Sequence, residues 1–357
     1  MAAKSIADTM TAAVMNGPGD LELTEVDVPE PGSGEVLVRV RACGVCGTDL
    51  EIRDYGWEGA KFPFVLGHEW TGEVVELGPD TTDIFSPGDR VASEPHDGCG
   101  LCVNCKVGKY TACLNYGEFS KGHKHHGFTV DGGYAKYSVM PEKLLHHLPE
   151  ELSYQEGTLL TTAACSLYAN ERAGVEAGDF VAVIGPGAIG LLAAQIAKFR
   201  GASEVLVTGT REPRLEAARV MGADHTVNVR EEDPVAAAKE LAGGKGPDTV
   251  IEAAGVHQAA SQAIDMVRRG GRVGLVGNYG EGLAELDAQW IVSGDLDVTG
   301  VKAEGFNSIH RVTRLMSKRD FAMDPVLTHE FDLDEIETAM DTFENRRDGA
   351  IKVVVNI

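Results

Sequence analysis

The stretch VAVIGPGAIGLLAAQIAK (181–198) limits what this chain can become more than any other. An apolar, β-branched run leads into Gly185-Pro186-Gly187-Ala188-Ile189-Gly190, and a helical pattern follows at once. A G-x-G-x-x-G match alone says little, but between a strand and a helix it marks a dinucleotide site. Gly185 permits the tight turn and Gly187 lets the backbone approach a pyrophosphate. Gly190 lets helix pack on strand. The free N–H groups of the helix then face the phosphates. Downstream, the runs EVLVTG (204–209), HTVNV (225–229), DTVIEAAG (248–255) and RVGLVG (272–277) alternate with the helical runs PRLEAARVMG, PVAAAKELA and QAASQAIDMVRR. Such alternation predicts a doubly wound parallel α/β sheet. Ala254 and Gly255, at the end of DTVIEAAG, are counted with the cofactor-binding residues.

The end of the second strand selects the cofactor. An NAD site usually places Asp or Glu there for the ribose 2′-hydroxyl. This chain reads VTGTREPR: Gly209 holds the acidic position, followed by Thr210, Arg211 and, one turn on, Arg214. A hydroxyl and guanidinium groups can bind a 2′-phosphate that no carboxylate repels. NADP is therefore the preferred cofactor, with NAD as the alternative if Arg211 only stacks on adenine.

At 357 residues the chain exceeds one ordinary core, so two domains are expected. The first 150 residues read as short strands and turns. In EVLVRVRA (35–42), Val36, Val38 and Val40 alternate with Leu37, Arg39 and Arg41, as in a half-buried strand. After residue 300 the pattern is mixed and ends in IKVVVNI, a strand that can return to the first domain. The expected division is 1–157 with 300–357, and 158–299 between them. A formal net charge of −23 argues against nucleic acid or anionic membrane as partner. It fits an acidic enzyme or adaptation to a salty cytoplasm. No apolar run is long enough to span a bilayer, and MAAKSIADTMTAAV has no leader pattern, so a cytoplasmic protein is expected.

Seven cysteines in such a chain point to metal or catalysis rather than disulfides. Cys99, Cys102, Cys105 and Cys113 are spaced C-x2-C-x2-C-x7-C. Four thiolates close a tetrahedral, structural Zn²⁺ site, with an iron–sulfur cluster as the rival. Two other pieces carry ligand chemistry: CGVCGTDLE with Cys46, Thr48 and Asp49, and GHEWTGEV with His68 and Glu69. Each alone is weak, and Cys43 with Cys46 could equally be a redox pair.

GVCGTD, GHEWTGEV, PGDRV, the cysteine tetrad, DGGYAKY and GPGAIG occur in an order and spacing that resemble the zinc-containing medium-chain alcohol and polyol dehydrogenases. The resemblance covers essentially the whole chain. It implies a mainly-β, GroES-like catalytic domain beside a Rossmann domain, two Zn²⁺ per chain, a small-molecule alcohol or sugar substrate, and a homodimer or homotetramer. By resemblance Cys46 and His68 are catalytic-zinc ligands and Glu69 sits beside the ion. Asp49 matches the carboxylate that orients the ligand His, and Thr48 the hydroxyl that passes the substrate proton outward. Where the family often continues that relay with His, this chain has Glu51. RVGLVG resembles a strand that can pair across subunits.

The family's third protein ligand, Cys, Glu or Asp, falls at Thr161, whose neutral hydroxyl is a poor ligand for Zn²⁺. Three outcomes stay open: Glu69 binds directly, Cys165 swings in, or the metal is held weakly. The first is expected, because Glu69 adjoins His68. His123, His125 and His126 are expected in a flexible polar loop, and His146 and His147 at a strand end. Trp57, Phe62 and Phe64 line a substrate cleft or fill a core, while Asn115, Tyr116 and Glu118 would suit substrate hydroxyls. The expected activity is hydride transfer between a secondary alcohol, sugar or polyol and NADP. A threonine-dehydrogenase-like enzyme, a zinc-free quinone or enoyl reductase and a non-catalytic NADP-binding protein are the alternatives.

Overall fold

The computed structural model describes residues 6–357; the first five residues of the N-terminal segment considered above lie outside it. The described chain packs into two compact units, one running to residue 161 and resuming over 327–357, the other over residues 162–326. Both crossings fall later than the sequence suggested. The strand Asp297–Gly300 completes the nucleotide-type sheet, and the helix Ser308–Met316 packs in the same unit, so the chain returns only at Leu327.

The first unit is mainly β. Its largest sheet runs in the order Leu145–His147, Arg90–Ser93, Glu69–Leu77, Glu35–Gly44, Lys352–Asn356 and Leu327–Asp332, with Tyr137–Pro141 also pairing with Glu35–Gly44. The central strand is buried at Val36, Val38 and Val40, and Leu37 is buried as well. Leu37 thus departs from the half-buried pattern, while Arg39 and Arg41 on the same side of the strand are half-buried. Trp70, Tyr134, Met140 and Leu66 fill the core, and Phe64 joins them, while Trp57 and Phe62 pack at its margin. The final strand enters the sheet 308 positions after residue 44, at the far end of the chain, with Val354 opposite Gly44.

The second unit is a six-stranded, wholly parallel sheet in the order His225–Asn228, Glu204–Gly209, Phe180–Ile184, Thr249–Glu252, Arg272–Leu275 and Asp297–Gly300. The chain starts at the centre, winds to one side, and then crosses to the other. The reversal therefore lies between Phe180–Ile184 and Thr249–Glu252, where sheets of this kind bind ligands. Arg272–Leu275 has neighbours on both sides, so RVGLVG cannot pair across subunits as expected; the edge strand on that side is Asp297–Gly300. Among the described residues no helix is long and apolar enough to cross a membrane.

Candidate functional site

The two donor sets that the sequence suggests both form within the first unit, beside an exposed acidic group of Asp332, Asp334 and Glu335. Cys46 is the N-cap of the helix Gly47–Tyr55, and its amide donates to Asp49 Oδ2 at 2.8 Å. This local bond fixes the turn that carries both residues. Asp49 is fully buried, and its other oxygen, Oδ1, lies 3.0 Å from His68 Nδ1. The Tyr134 hydroxyl donates to Asp49 Oδ2 at 3.0 Å. His68 thus keeps Nδ1 for Asp49 and turns its second nitrogen toward Cys46, with which it interacts. The Cys46 thiol, a His68 nitrogen and a Glu69 carboxylate oxygen lie within 4.8 Å of one another. A thiolate, an imidazole held in one tautomer by a carboxylate, and a second carboxylate are a fitting donor set for Zn²⁺. The Thr48 hydroxyl is 3.8 Å from Cys46 Sγ. Thr161 is buried, with its hydroxyl 3.5 Å from the Ser93 carbonyl.

The electrostatics suit a metal. Burial alone would push His68 down, but the charge and hydrogen bond of Asp49, with Cys46, hold it well above the usual imidazole range. Without metal its second nitrogen keeps a proton, which metal uptake must release. Burial, then Asp49, pushes Tyr134 up, so it remains a donor. Sequence reasoning missed one residue entirely. Lys352 is buried and ion-paired with Glu69 Oε2. Its only sequence signal is a lone cation in the apolar strand IKVVVNI.

The tetrad also closes. The four sulfurs of Cys99, Cys102, Cys105 and Cys113 lie within 4.8 Å of one another, with Cys99–Cys105 and Cys102–Cys113 both at 4.0 Å. A Zn–S bond of about 2.3 Å implies tetrahedral S···S edges of about 3.8 Å, so the spacing fits one ion. Amides of Cys102 and Leu101 bring the Cys99 thiol down to about 6, whereas burial pushes Cys105 up to about 12. Asn115 donates from Nδ2 to Cys99 Sγ at 3.2 Å, and Glu118 pairs with Lys121. Both contacts lie within the lobe of the tetrad, whereas the sequence suggested these side chains for substrate hydroxyls. Tyr116 bridges Trp57 Nε1 at 3.0 Å and His125 Nδ1 at 3.2 Å.

The histidine run departs most from expectation. His123, His125 and His126 are buried, not part of a flexible polar loop. Lys124–His125 pairs with His96–Asp97 as a small two-stranded sheet. His125 stacks on Phe128 at 3.5 Å, and Phe128 lies against His68 at 4.3 Å. Burial, then the neighbouring His96 and His68, hold His125 well below the usual imidazole range, so its ring packs on Phe128 as a neutral aromatic. His146 and His147 end the strand Leu145–His147, with His146 2.7 Å from Glu94.

In the second unit, Gly185 turns at φ +99°, and a Cβ there would meet Ala254 at 2.8 Å. A Cβ on Gly190 would strike the Gly185 carbonyl at 1.9 Å, while one on Gly187 would meet nothing within 4 Å. Gly187 therefore borders open space at the start of the helix Ala188–Phe199, whose N-terminus has no side-chain cap. This is the cradle a pyrophosphate requires. Gly209 packs on Pro186, and Thr210 is exposed. Arg211 caps the helix Glu212–Val220, where Arg214 is half-buried; Glu212 is bound to Arg219 at 2.7 Å. The amides of Ala254 and Gly255 donate to the buried Glu252 at 2.7 and 2.9 Å, so these two residues can offer a cofactor packing surface but not N–H groups.

A family profile described as "Alcohol dehydrogenase GroES-like domain" matches residues 32–150, and one described as "Zinc-binding dehydrogenase" matches 188–318. The sorbitol dehydrogenase of Bacillus subtilis is 31% identical over 354 residues, 98% of each chain. The chain belongs to the zinc-containing medium-chain alcohol and polyol dehydrogenases. Within that family, the L-threonine 3-dehydrogenase of Pyrococcus horikoshii is 33% identical over 353 residues, 97% of this chain and 99% of its own. The solved structure of a protein from Sinorhizobium meliloti 1021, described as a zinc-binding dehydrogenase and bound to NADP, matches with a TM-score of 0.89 and 31% identity over 98% of this chain and all of that one. This dehydrogenase is thus an NAD(P)-dependent oxidoreductase of alcohols, with a GroES-like and a Rossmann-type part, as its sequence suggested. Both donor sets come together, and the zinc-binding dehydrogenase profile matches, which disfavours the zinc-free reductase alternative.

Proposed function

We propose that this dehydrogenase moves hydride between a secondary alcohol, sugar or polyol and NADP, with one Zn²⁺ held by Cys46, His68 and Glu69 and a second by the tetrad. The observation that carries the reading is the meeting of Cys46, His68 and Glu69 around a His that Asp49 holds in one tautomer. A bound Zn²⁺ supplies Lewis acidity toward an alcohol or carbonyl oxygen. Asp49 orients His68, and Tyr134 and the Cys46 amide hold Asp49 in turn. The Thr48 hydroxyl receives the substrate's proton and passes it outward. Glu69 takes the place of the missing ligand at Thr161.

Gly185, Gly187 and Gly190 receive the pyrophosphate, and Arg211, Arg214 and Thr210 bind the 2′-phosphate. Glu212, the nearest carboxylate, is paired with Arg219 on the surface. The open edge strand Asp297–Gly300 supports a homodimer or homotetramer in a cytoplasmic protein. The likeness to a threonine dehydrogenase makes oxidation of L-threonine the rival reading. A panel of sugars, polyols, secondary alcohols and L-threonine, assayed with both cofactors alongside zinc content, tests the reading. It stands if a polyol or secondary alcohol reduces NADP with the higher kcat/KM, and falls if NAD or L-threonine wins.

A further inference from the structure

The strand Lys352–Asn356 pairs with Glu35–Gly44, and Glu35–Gly44 pairs with Glu69–Leu77. Gly44 lies opposite Val354 on one side and Glu69 on the other. The Val45 amide donates to the Val353 carbonyl at 2.8 Å, which brings the start of the last strand alongside Cys46. Gly44 has no side chain, and the Lys352 side chain uses that space to reach Glu69. A Cβ on Gly44 would lie 2.8 Å from Glu69 Oε2 and 3.1 Å from Lys352 Cε. Both partners are almost fully buried, with side-chain exposures of 3% and 4%. A buried ion pair is a poor source of stability compared with an apolar pair of the same volume, so another function is the better explanation for this one.

We propose that Lys352 is a positioning residue for the catalytic centre: it occupies one oxygen of Glu69, so that this carboxylate can offer a metal only the other, and it balances the charge of the site. The proposal rests on Glu69 being a ligand. A carboxylate bound through both oxygens would fill the position a substrate must occupy, since a catalytic zinc site keeps one position open. With Lys352 on Oε2, Cys46, His68 and one Glu69 oxygen leave that position vacant. The charge follows the same logic. The Cys46 thiolate and the carboxylates of Asp49 and Glu69 exceed a divalent ion by one negative charge, and the Lys352 ammonium cancels it. This charge also favours ionisation of a hydroxyl brought to the metal, because a nearby cation stabilises the anion.

The test replaces Zn²⁺ at the Cys46, His68 and Glu69 site with Co²⁺, leaving the tetrad loaded, and compares wild type, Lys352→Met and Lys352→Arg. In Lys352→Met the visible cobalt absorption should fall at least twofold, as a fifth ligand atom closes on the ion. Chelator-driven metal loss should slow about tenfold, and the pH profile of alcohol oxidation should move up by about 1 unit. Lys352→Arg should restore all three. Where Lys352→Met does not fold, Gly44→Ala asks the same question by forcing the pair apart, and it should lower the cobalt absorption in the same direction. A cobalt spectrum and pH profile like those of wild type in the folded variant would overturn the proposal, and so would faster metal loss with an unchanged spectrum. Glu69→Gln separates the premise: if its cobalt spectrum matches wild type, Glu69 is no ligand and the functional reading itself is wrong.

Discussion

Asp49→Asn is the substitution whose consequence follows most directly from the geometry. Asp49 accepts from the Cys46 amide and the Tyr134 hydroxyl on Oδ2 and from His68 Nδ1 on Oδ1, at 2.8, 3.0 and 3.0 Å. Asparagine keeps one acceptor oxygen. If that oxygen stays with Cys46 and Tyr134, the new NH₂ faces His68 Nδ1, which must then give up its proton to accept. The proton moves to the other nitrogen and blocks the lone pair meant for the metal. If the amide flips, the NH₂ meets two donors and the cap of the helix is lost. Either arrangement sacrifices a charge-assisted hydrogen bond worth about 1.5–3 kcal/mol. That corresponds to roughly 10–100-fold in metal affinity at this site, the range typical of the carboxylate behind a ligand His. Competition against a chromogenic chelator reads it directly, because the tetrad keeps its zinc and serves as an internal reference. The variant should retain about one zinc per chain where wild type retains two, with kcat/KM reduced in parallel. Retention of both zincs within twofold of wild type would refute the reasoning.

Other outcomes follow from the same structure. Arg211→Ala should lower kcat/KM for NADP about 10–100-fold while changing that for NAD less than threefold, as expected for the loss of a guanidinium–phosphate contact. Cys99→Ser removes a sulfur that accepts from Cys102 N and Asn115 Nδ2; metal analysis should find one zinc fewer, and the melting temperature should drop by several degrees. Asp248→Asn tests the second unit. Burial alone would raise the Asp248 carboxyl, but the Phe180 amide and the Arg268 guanidinium hold it below its ordinary value. Its stabilisation is therefore full above about pH 4 and fades as pH falls through the lowered value. The variant should melt about 2–10 °C below wild type at pH 7, for a cost of about 1–3 kcal/mol, and the gap should narrow toward pH 3.

The parts of this protein written in local sequence were legible. Gly185, Gly187 and Gly190 each meet the steric need that their spacing implies, and the tetrad closes because its members span only 15 residues. Cys46 and Asp49 share one helical turn, so their relation could also be anticipated. What was not legible depends on pairing between distant strands. Lys352 meets Glu69 only because the last strand enters beside Gly44. The histidine run looked solvated because Lys121 and Lys124 interleave it, yet Phe128 and His96 bury it. Asn115 looked like a substrate contact until the fold of the tetrad turned its amide onto Cys99. RVGLVG looked like an edge because nothing in its own residues reports that one more strand follows outside it.

The central claim is that Glu69, and not Thr161, completes the catalytic metal site with Cys46 and His68. Zinc content per chain after dialysis against a mild chelator tests it in three proteins. Two zincs are expected in wild type, one in Glu69→Gln and two in Thr161→Ala. Two zincs in Glu69→Gln, or one in Thr161→Ala, would contradict it.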